Sequence, residues 1–239
     1  MSSTFLTAEW RRLIMANYAI APELLADYLP AGTELDLFHG QCFVSLIGFY
    51  FQNVRLKGFR IPFHANFEEV NLRFYVRRVS QTGESRRGVV FVRELVPLHA
   101  ISFVANALYG ERYAVAPMKH LWNAAGEELQ TSYRWKSHGR WHSMEAMSDK
   151  TLAEIAPGSV EEFITEHYWG YAKKRSGRTV EYAVQHPRWK QYPVRSFSTD
   201  ADFGALYGHR FAALTGREPD NVLLAEGSEI AILHGQTLA

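Results

Sequence analysis

The sequence predicts a mainly β protein with peripheral helices (an α+β fold), in which an antiparallel sheet closes into a β-barrel or cone. Strand patterns separated by turn residues recur along the chain, whereas helical spacing is confined to short, scattered segments. No composition break, repeat or low-complexity segment divides the 239 residues, so we expect a single domain over residues 1–239. A closed sheet of this kind can enclose one small ligand.

The predicted elements follow one another along the chain. The opening segment 8–18 is ambiguous between a short helix and a strand, because its apolar residues have mixed spacing. Strands are predicted by alternating or apolar runs at 33–38, 41–51, 69–79, 88–96, 129–135, 140–146, 179–185, 191–197 and within 221–234. Helices are predicted at 22–29, 99–108, 159–168 and 202–214. Ser159 and Glu162 have the spacing of a capping box at the start of the third helix.

The composition excludes several classes of protein. A net charge of +1 gives no basic footprint for nucleic acid, and no window reaches the ~20 apolar residues of a membrane span. The N-terminus lacks the basic and long apolar regions of a signal peptide. We therefore expect a cytoplasmic protein that binds neither nucleic acid nor a membrane. Cys42 is the single cysteine and lies in an apolar run, which predicts a buried thiol and no disulfide within the chain.

No cofactor and no metal site is predicted. The chain lacks the glycine-rich fingerprint of dinucleotide-binding folds, the phosphate-binding loop and the GxSxG elbow of serine hydrolases. Its ten histidines are scattered, and neither HExxH nor CxxC spacing occurs.

The segment 69–76 carries the strongest candidate site. It alternates with period two, so that Val70, Leu72, Phe74 and Val76 share one face of a strand. The other face carries an acid, an amide, a guanidinium and a phenol, which are Glu69, Asn71, Arg73 and Tyr75. This polar face either lines a binding site or is a solvent-facing strand with a cross-strand ion pair.

Four segments together are similar to the uncharacterised YqjF-like family, and they are 24–40, 67–76, 163–171 and 182–189. That family is thought to share the fold of the acetoacetate decarboxylases, an antiparallel β-barrel or cone with a central cavity and peripheral helices. The resemblance implies the same fold here, and it implies that the polar face of 69–76 lines the cavity.

The resemblance also identifies a candidate lysine. The decarboxylases carry a Gly-Arg-Glu segment followed by Pro-Lys-Lys, whose first lysine forms a Schiff base with the ketone. Here Tyr109-Gly110-Glu111-Arg112 is followed by Pro117-Met118-Lys119, so Met118 stands at the nucleophile and only Lys119 remains. Lys119 is an amine nucleophile if it is desolvated beside another cation such as Arg112, or a surface lysine after a proline turn.

His167 is a further candidate. His167, Trp169 and Tyr171 alternate, so an extended backbone would place them on one face as an aromatic wall with one imidazole. On a helix they would point apart and would be ordinary core residues.

We consider three hypotheses about function. The first is a binding protein whose cavity holds a small anionic or keto/carboxylate molecule. Arg73 would bind the anion, Asn71, Tyr75 and His167 would orient it, Arg112 would lie near the rim or floor, and Glu69 would act as a general acid or base. The second is a lysine-dependent lyase or decarboxylase-like enzyme that uses Lys119. The third is a scaffold or oligomerisation domain without a ligand site, and a homo-oligomer is compatible with all three.

Overall fold

The computed structural model describes residues 3–80, 82–99, 112–124, 126–174 and 176–238. The long strands are β1 (Thr4–Ile20), β3 (Cys42–Leu56), β5 (Phe67–Val79), β6 (Ser85–Val96), β9 (Glu128–Ser137), β10 (Arg140–Asp149) and β16 (Asn221–Leu233). The shorter strands are β2 (Glu34–Leu35), β4 (Phe59–Arg60), β7 (Tyr113–Val115), β8 (Met118–Asn123), β11 (Ala153–Glu154), β12 (Trp169–Lys173), β13 (Thr179–Gln185), β14 (Lys190–Tyr192), β15 (Val194–Asp200) and β17 (Gln236–Thr237). The helices are α1 (Val160–Thr165), α2 (Phe203–Tyr207) and 3-10 turns at Pro22–Leu25 and His209–Leu214. None of these helices is long and apolar enough to cross a membrane.

Seven strands of the main sheet form a closed ring of hydrogen-bonded neighbours. Their order is β16, β1, β3, β5, β6, β12 and β13, and β13 pairs again with β16. All pairings in the ring are antiparallel except that of β6 with β12, which is parallel. Since parallel neighbours need a long crossover, the chain between them has room for β8, β9, β10 and α1.

The strands of the ring have two buried faces. Leu46 and Ile47 are consecutive on β3 and therefore point to opposite faces. Leu46 belongs to a buried cluster that includes Tyr133 of the second sheet, whose strand order is β15, β10, β9 and β8. Ile47 belongs to a second cluster that includes Phe163 of α1. Burial of both faces gives these strands long apolar runs, which the sequence shows most clearly in β3.

The first strand shows why its sequence is ambiguous. β1 pairs with both β16 and β3, but its register with β3 shifts between Arg11 and Ile14. Arg12 lies in this irregularity with φ 56°. Such a bulge interrupts the period of two, so the apolar residues on either side of it do not alternate. Gly227 lies opposite at φ +82°, where an added Cβ would come within 1.9 Å of the Trp10 carbonyl oxygen.

The prediction of a mainly β fold with peripheral helices is confirmed. The strand predicted at 179–185 has the same bounds as β13, and those predicted at 41–51 and 88–96 become β3 and β6. Two strand predictions need correction. The strand predicted at 191–197 divides into β14 and β15 at Pro193, and the closing strands within 221–234 are one continuous strand, β16.

The helix predictions also need correction. The helix expected to reach Tyr168 ends at Thr165, and the helix expected over 202–214 is divided at Gly208, where φ is 104°. The Ser159 side chain accepts a hydrogen bond from the Glu162 backbone N–H, as predicted, but the Glu162 carboxylate accepts from the Gly158 N–H rather than completing the box. The helix predicted at 99–108 lies outside the described residues apart from its first position.

Candidate functional site

A partly enclosed cavity lies on the face of the ring that carries Ile47. Its volume is about 70 Å³. On the same measure of volume, one water molecule needs roughly 10–15 Å³. The cavity therefore has room for several waters or one small molecule. Aromatic rings form a large part of its wall, and they include Trp10, Phe49, Phe51, Phe91, Trp169 and Trp189. Its buried polar side chains are Glu69, Asn71, Arg73, Glu94, Thr165 and His167.

Strand β5 supplies three of these polar groups. Glu69, Asn71 and Arg73 follow one another at every second position and all line the cavity. Tyr75 continues the same face but its hydroxyl lies 2.6 Å from Ser45 Oγ, which engages it away from the cavity wall. The Tyr75 ring instead supports the site, because the Arg73 guanidinium lies 5.5 Å and the His167 ring 4.7 Å from its centroid.

Glu69 is a buried carboxylate held by neutral donors. The Asn71 side-chain amide donates to Glu69 Oε1 at 2.9 Å, and the Tyr113 hydroxyl donates to Oε2 at 3.1 Å. Burial raises the pKa of Glu69 to about 7, although the two hydrogen bonds and the charge of Arg73 oppose this shift. A carboxyl group with this pKa can both donate and accept a proton near neutral pH.

Arg73 is buried with incomplete hydrogen bonding. Its Nη2 donates to the Ile164 carbonyl oxygen of α1 at 3.3 Å. Its Nε has no hydrogen-bond partner among the described residues. A buried guanidinium with a free N–H is suited to an oxygen acceptor such as a carboxylate.

His167 follows α1 on an extended segment that leads into β12. Its Nε2 lies 3.0 Å from Asp36 Oδ2, which also accepts a hydrogen bond from Arg87 Nε at 2.6 Å. Burial lowers the pKa of His167 to about 4, although Asp36 opposes the shift. Although burial acts in the other direction, hydrogen bonds from His167 and Arg87 hold the pKa of Asp36 below its usual value.

Of the three alternating residues beginning at His167, two reach the cavity. His167 and Trp169 line it, as the extended alternative predicted. Tyr171 instead packs in the other buried cluster and donates its hydroxyl hydrogen bond to Glu181 at 3.0 Å.

Sequence reasoning missed Glu94 and His186. Glu94 lies opposite Asn71 in the β5–β6 register, whereas Phe91 lies opposite Arg73, because the register shifts between Leu72 and Arg73. This bulge places both residues on the cavity face although they are three positions apart. His186 lines the cavity with its ring stacked on Trp189 at 4.4 Å, and burial lowers its pKa.

The two remaining candidates lie away from the cavity wall. Lys119 is exposed on β8, with its ammonium group 5.5 Å from the Trp141 ring centroid. Arg112 is exposed, with its guanidinium 4.9 Å from the Tyr28 ring centroid. Alternation along β8 explains the position of Lys119, because the preceding Met118 packs against the core instead. Every lysine of the chain falls within the described residues, and none of them lines this cavity.

The ring and its cavity define a protein with an acetoacetate decarboxylase-like fold. The structure is similar to acetoacetate decarboxylase from Legionella pneumophila subsp. pneumophila str. Philadelphia 1, with a TM-score of 0.67, 13% identity, and coverage of 99% of this chain and 88% of that chain. It is also similar to the enduracididine biosynthesis enzyme MppR complexed with pyruvate, with a TM-score of 0.66, 13% identity, and coverage of 100% and 91%. At these identities the similarity establishes the fold alone.

The chain belongs to the DUF2071 family, described as an uncharacterized conserved protein, whose model matches residues 7–229. Uncharacterized protein YqjF of Bacillus subtilis (strain 168) is 25% identical over 181 residues, which cover 74% of this chain and 72% of YqjF. The predicted relationship to the YqjF-like family, and through its fold to the acetoacetate decarboxylases, is therefore confirmed.

Proposed function

We propose that this protein binds a small carboxylate, of the size of a short keto acid, in the cavity beside Arg73. One observation carries the proposal, namely a buried guanidinium on the cavity wall whose Nε has no partner among the described residues. A buried charge without an ion pair is costly, so an anionic ligand that accepts from this N–H gains both charge compensation and a hydrogen bond.

The environment of Arg73 supports this assignment. Glu69 takes its hydrogen bonds from neutral donors and has a raised pKa near 7, so near neutral pH a large fraction of its carboxyl groups is uncharged. It therefore offers Arg73 only part of a counter-charge, and a bound carboxylate supplies the rest. The aromatic wall suits the short apolar part of such a ligand.

The volume of the cavity and a comparison with MppR indicate the size and class of the ligand. A volume of about 70 Å³ excludes nucleotides and long acyl chains. The similar fold of MppR holds pyruvate, which is a carboxylate of this size.

Glu69 gives the site a means of proton transfer. Its carboxyl group lines the cavity two positions from Arg73 on the same strand face, and its pKa of about 7 suits an acid or base at neutral pH. Because no lysine lines the cavity, the ligand is bound non-covalently and no amine nucleophile takes part.

The test is the binding of acetate, pyruvate and acetoacetate, measured by calorimetry and by thermal stabilisation, with acetone and methyl pyruvate as uncharged controls. We expect the carboxylates to bind and the uncharged compounds to bind at least about tenfold more weakly. Arg73→Met, which keeps an unbranched apolar stem and removes the guanidinium, should abolish carboxylate binding, whereas Lys119→Ala should leave it unchanged.

Two results would contradict the proposal. The first is carboxylate binding that is equal in wild type and in Arg73→Met. The second is a covalent adduct with pyruvate or acetoacetate, trapped by borohydride, seen by intact mass and lost in Lys119→Ala. That second result would favour the lysine-dependent alternative.

A further inference from the structure

The two ring nitrogens of His167 have different surroundings. Nε2 faces the carboxylate of Asp36 at 3.0 Å, whereas Nδ1 is buried without a hydrogen-bond partner among the described residues. The ring itself is fixed between two aromatic rings, with centroid distances of 4.7 Å to Tyr75 and 5.1 Å to Phe163. The orientation of the imidazole is therefore set on three sides.

Asp36 determines which ring nitrogen carries the proton. An ionised carboxylate only accepts hydrogen bonds, so Nε2 must be the N–H nitrogen when it bonds to Asp36. Arg87 keeps Asp36 ionised through its own hydrogen bond to Oδ2. Burial and the charges of Arg87 and Arg73 disfavour a second proton on the ring, and they hold the pKa of His167 at about 4. Nδ1 consequently presents a lone pair.

The adjacent amide presents a second acceptor. The Asn71 side chain donates from Nδ2 to Glu69, which leaves Oδ1 without a partner among the described residues. Among the polar atoms of the cavity wall without partners in the described residues, Trp10 Nε1 and Arg73 Nε are donors, while His167 Nδ1 and Asn71 Oδ1 are acceptors. Arg73 and His167 both lie against the ring of Tyr75 and line the same cavity, and the charge of Arg73 contributes to lowering the pKa of His167.

We infer that His167 Nδ1 accepts a hydrogen bond from the ligand, so that the cavity prefers carboxylates with a hydroxyl group beside the carboxylate to the matching oxo compounds. This inference rests on the proposed function, since it takes the carboxylate to lie on Arg73. A hydroxyl donates to Nδ1, whereas the oxygen of a 2-oxo acid would place one acceptor against another. Two acceptors without a proton between them leave both buried and unsatisfied, which weakens binding.

The binding test compares pairs that have the same carbon skeleton and differ only in this group. The pairs are lactate with pyruvate and 2-hydroxybutyrate with 2-oxobutyrate, and both enantiomers of each hydroxy acid are used. We expect one enantiomer of each hydroxy acid to bind at least about tenfold more tightly than its oxo partner. In His167→Phe, which keeps an aromatic ring against Tyr75, the ratio should fall to about one while Arg73→Met still abolishes binding. In His167→Asn, whose side-chain oxygen can replace Nδ1 as the acceptor, part of the preference should return.

A second measurement does not depend on any ligand. Long-range proton–nitrogen correlation spectra of the protein with ¹⁵N-labelled histidine distinguish an N–H nitrogen from one with a lone pair. His167 is assigned by the signal that disappears in His167→Phe. We expect Nε2–H with an unprotonated Nδ1 at neutral pH, and an Nδ1–H form or a doubly protonated ring would overturn the inference.

The outcomes separate the inference from the proposed function. If oxo and hydroxy acids bind equally and both depend on Arg73, the inference is wrong and carboxylate binding stands. If the oxo acids bind more tightly, the inference is again wrong. If none of the four acids binds, both are wrong.

Discussion

Glu69 and Glu181 are both fully buried glutamates on ring strands, but their surroundings differ. Glu181, on β13, accepts from two arginines, with Arg86 Nη1 at 2.6 Å and Arg78 Nη1 at 3.1 Å. The Tyr171 hydroxyl and the Gln236 amide complete its shell at 3.0 Å and 3.1 Å. Glu69 is bonded by two neutral donors and lines a cavity, whereas Glu181 is absent from the cavity wall.

This difference separates a carboxylate whose charge is balanced inside the protein from one that is a candidate for function. The charge of Glu181 is balanced by two arginines, and its bonds link β13 to β5, β6 and β12. No cation is hydrogen-bonded to the Glu69 carboxylate among the described residues, and its pKa is raised to about 7. Its neighbours Asn71 and Arg73 each keep a polar atom without a partner there. Burial alone therefore does not indicate a site, whereas burial with incomplete pairing indicates a candidate.

The largest effect that we expect from the comparison is on stability. Glu181→Gln should lower the free energy of unfolding by about 3 kcal/mol at pH 7, because it removes the bonded counter-charge of Arg78 and leaves Arg86 with Glu84 alone. Glu69→Gln should cause no loss at pH 7, because glutamine resembles the protonated acid and avoids burying a charge there. Urea unfolding of both variants gives the two values. Equal losses would contradict the distinction between the two glutamates.

The pH dependence of stability tests the environment of Glu69 more sharply. Its pKa is raised from 4.5 to about 7, so the folded state binds the additional proton and this contribution to stability is lost as pH rises from about 4.5 to 7. The pKa of His167 is lowered from 6.5 to about 4, so its contribution is lost as pH falls from about 6.5 to 4. In the wild type the two dependences oppose each other over nearly the same interval.

Single substitutions should separate the two opposing pH dependences of stability. One pKa unit corresponds to about 1.4 kcal/mol. Between pH 4.5 and 7, the free energy of unfolding of Glu69→Gln should therefore rise by about 3 kcal/mol relative to that of the wild type. The free energy of unfolding of His167→Asn should rise by a similar amount relative to that of the wild type as pH falls from 6.5 to 4. Urea unfolding at a series of pH values measures both. A Glu69→Gln curve parallel to that of the wild type would show that Glu69 titrates normally.

The smallest effect is expected at Lys119. Because its side chain is exposed, Lys119→Ala should change the free energy of unfolding by no more than about 0.5 kcal/mol. It serves as the matched control for the cavity variants in urea unfolding. A loss comparable to that of Glu181→Gln would mean that Lys119 has a structural role that its exposure does not reveal.

Period-two alternation was sufficient to find Glu69, Asn71 and Arg73, because β5 remains regular through these positions. The same pattern included Tyr75, whose hydroxyl is bonded to Ser45 on the neighbouring strand, and such a partner cannot be read from one strand alone. Glu94 could not be found in this way, since a bulge between paired strands changes which residues share a face.

The lysine candidate shows a different limit. The segment 117–119 was chosen because it resembles a motif, but β8 belongs to the second sheet and directs Lys119 to its exposed face. The extended course after α1, which brings His167 to the cavity, depended on where that helix ends. Helix ends are difficult to predict because capping signals for the last turn are weak here, with no glycine directly after Thr165.

The two short joins in the ring have a kinetic consequence. In the described chain, β12 meets β6 through Trp169–Gly88 and Gly170–Val89, and β13 meets β16 through Val184–Ile232 and Gln185–Ala231. The hairpin between these joins carries Trp169, Tyr182 and Val184 of the cavity wall. Few backbone hydrogen bonds hold the hairpin at these two joins, although β17 and the ion pairs of Glu181 also hold β13. The amides paired at the joins should exchange with solvent sooner than those of β1 and β3. Exchange at these joins would then report how often this part of the cavity wall loosens.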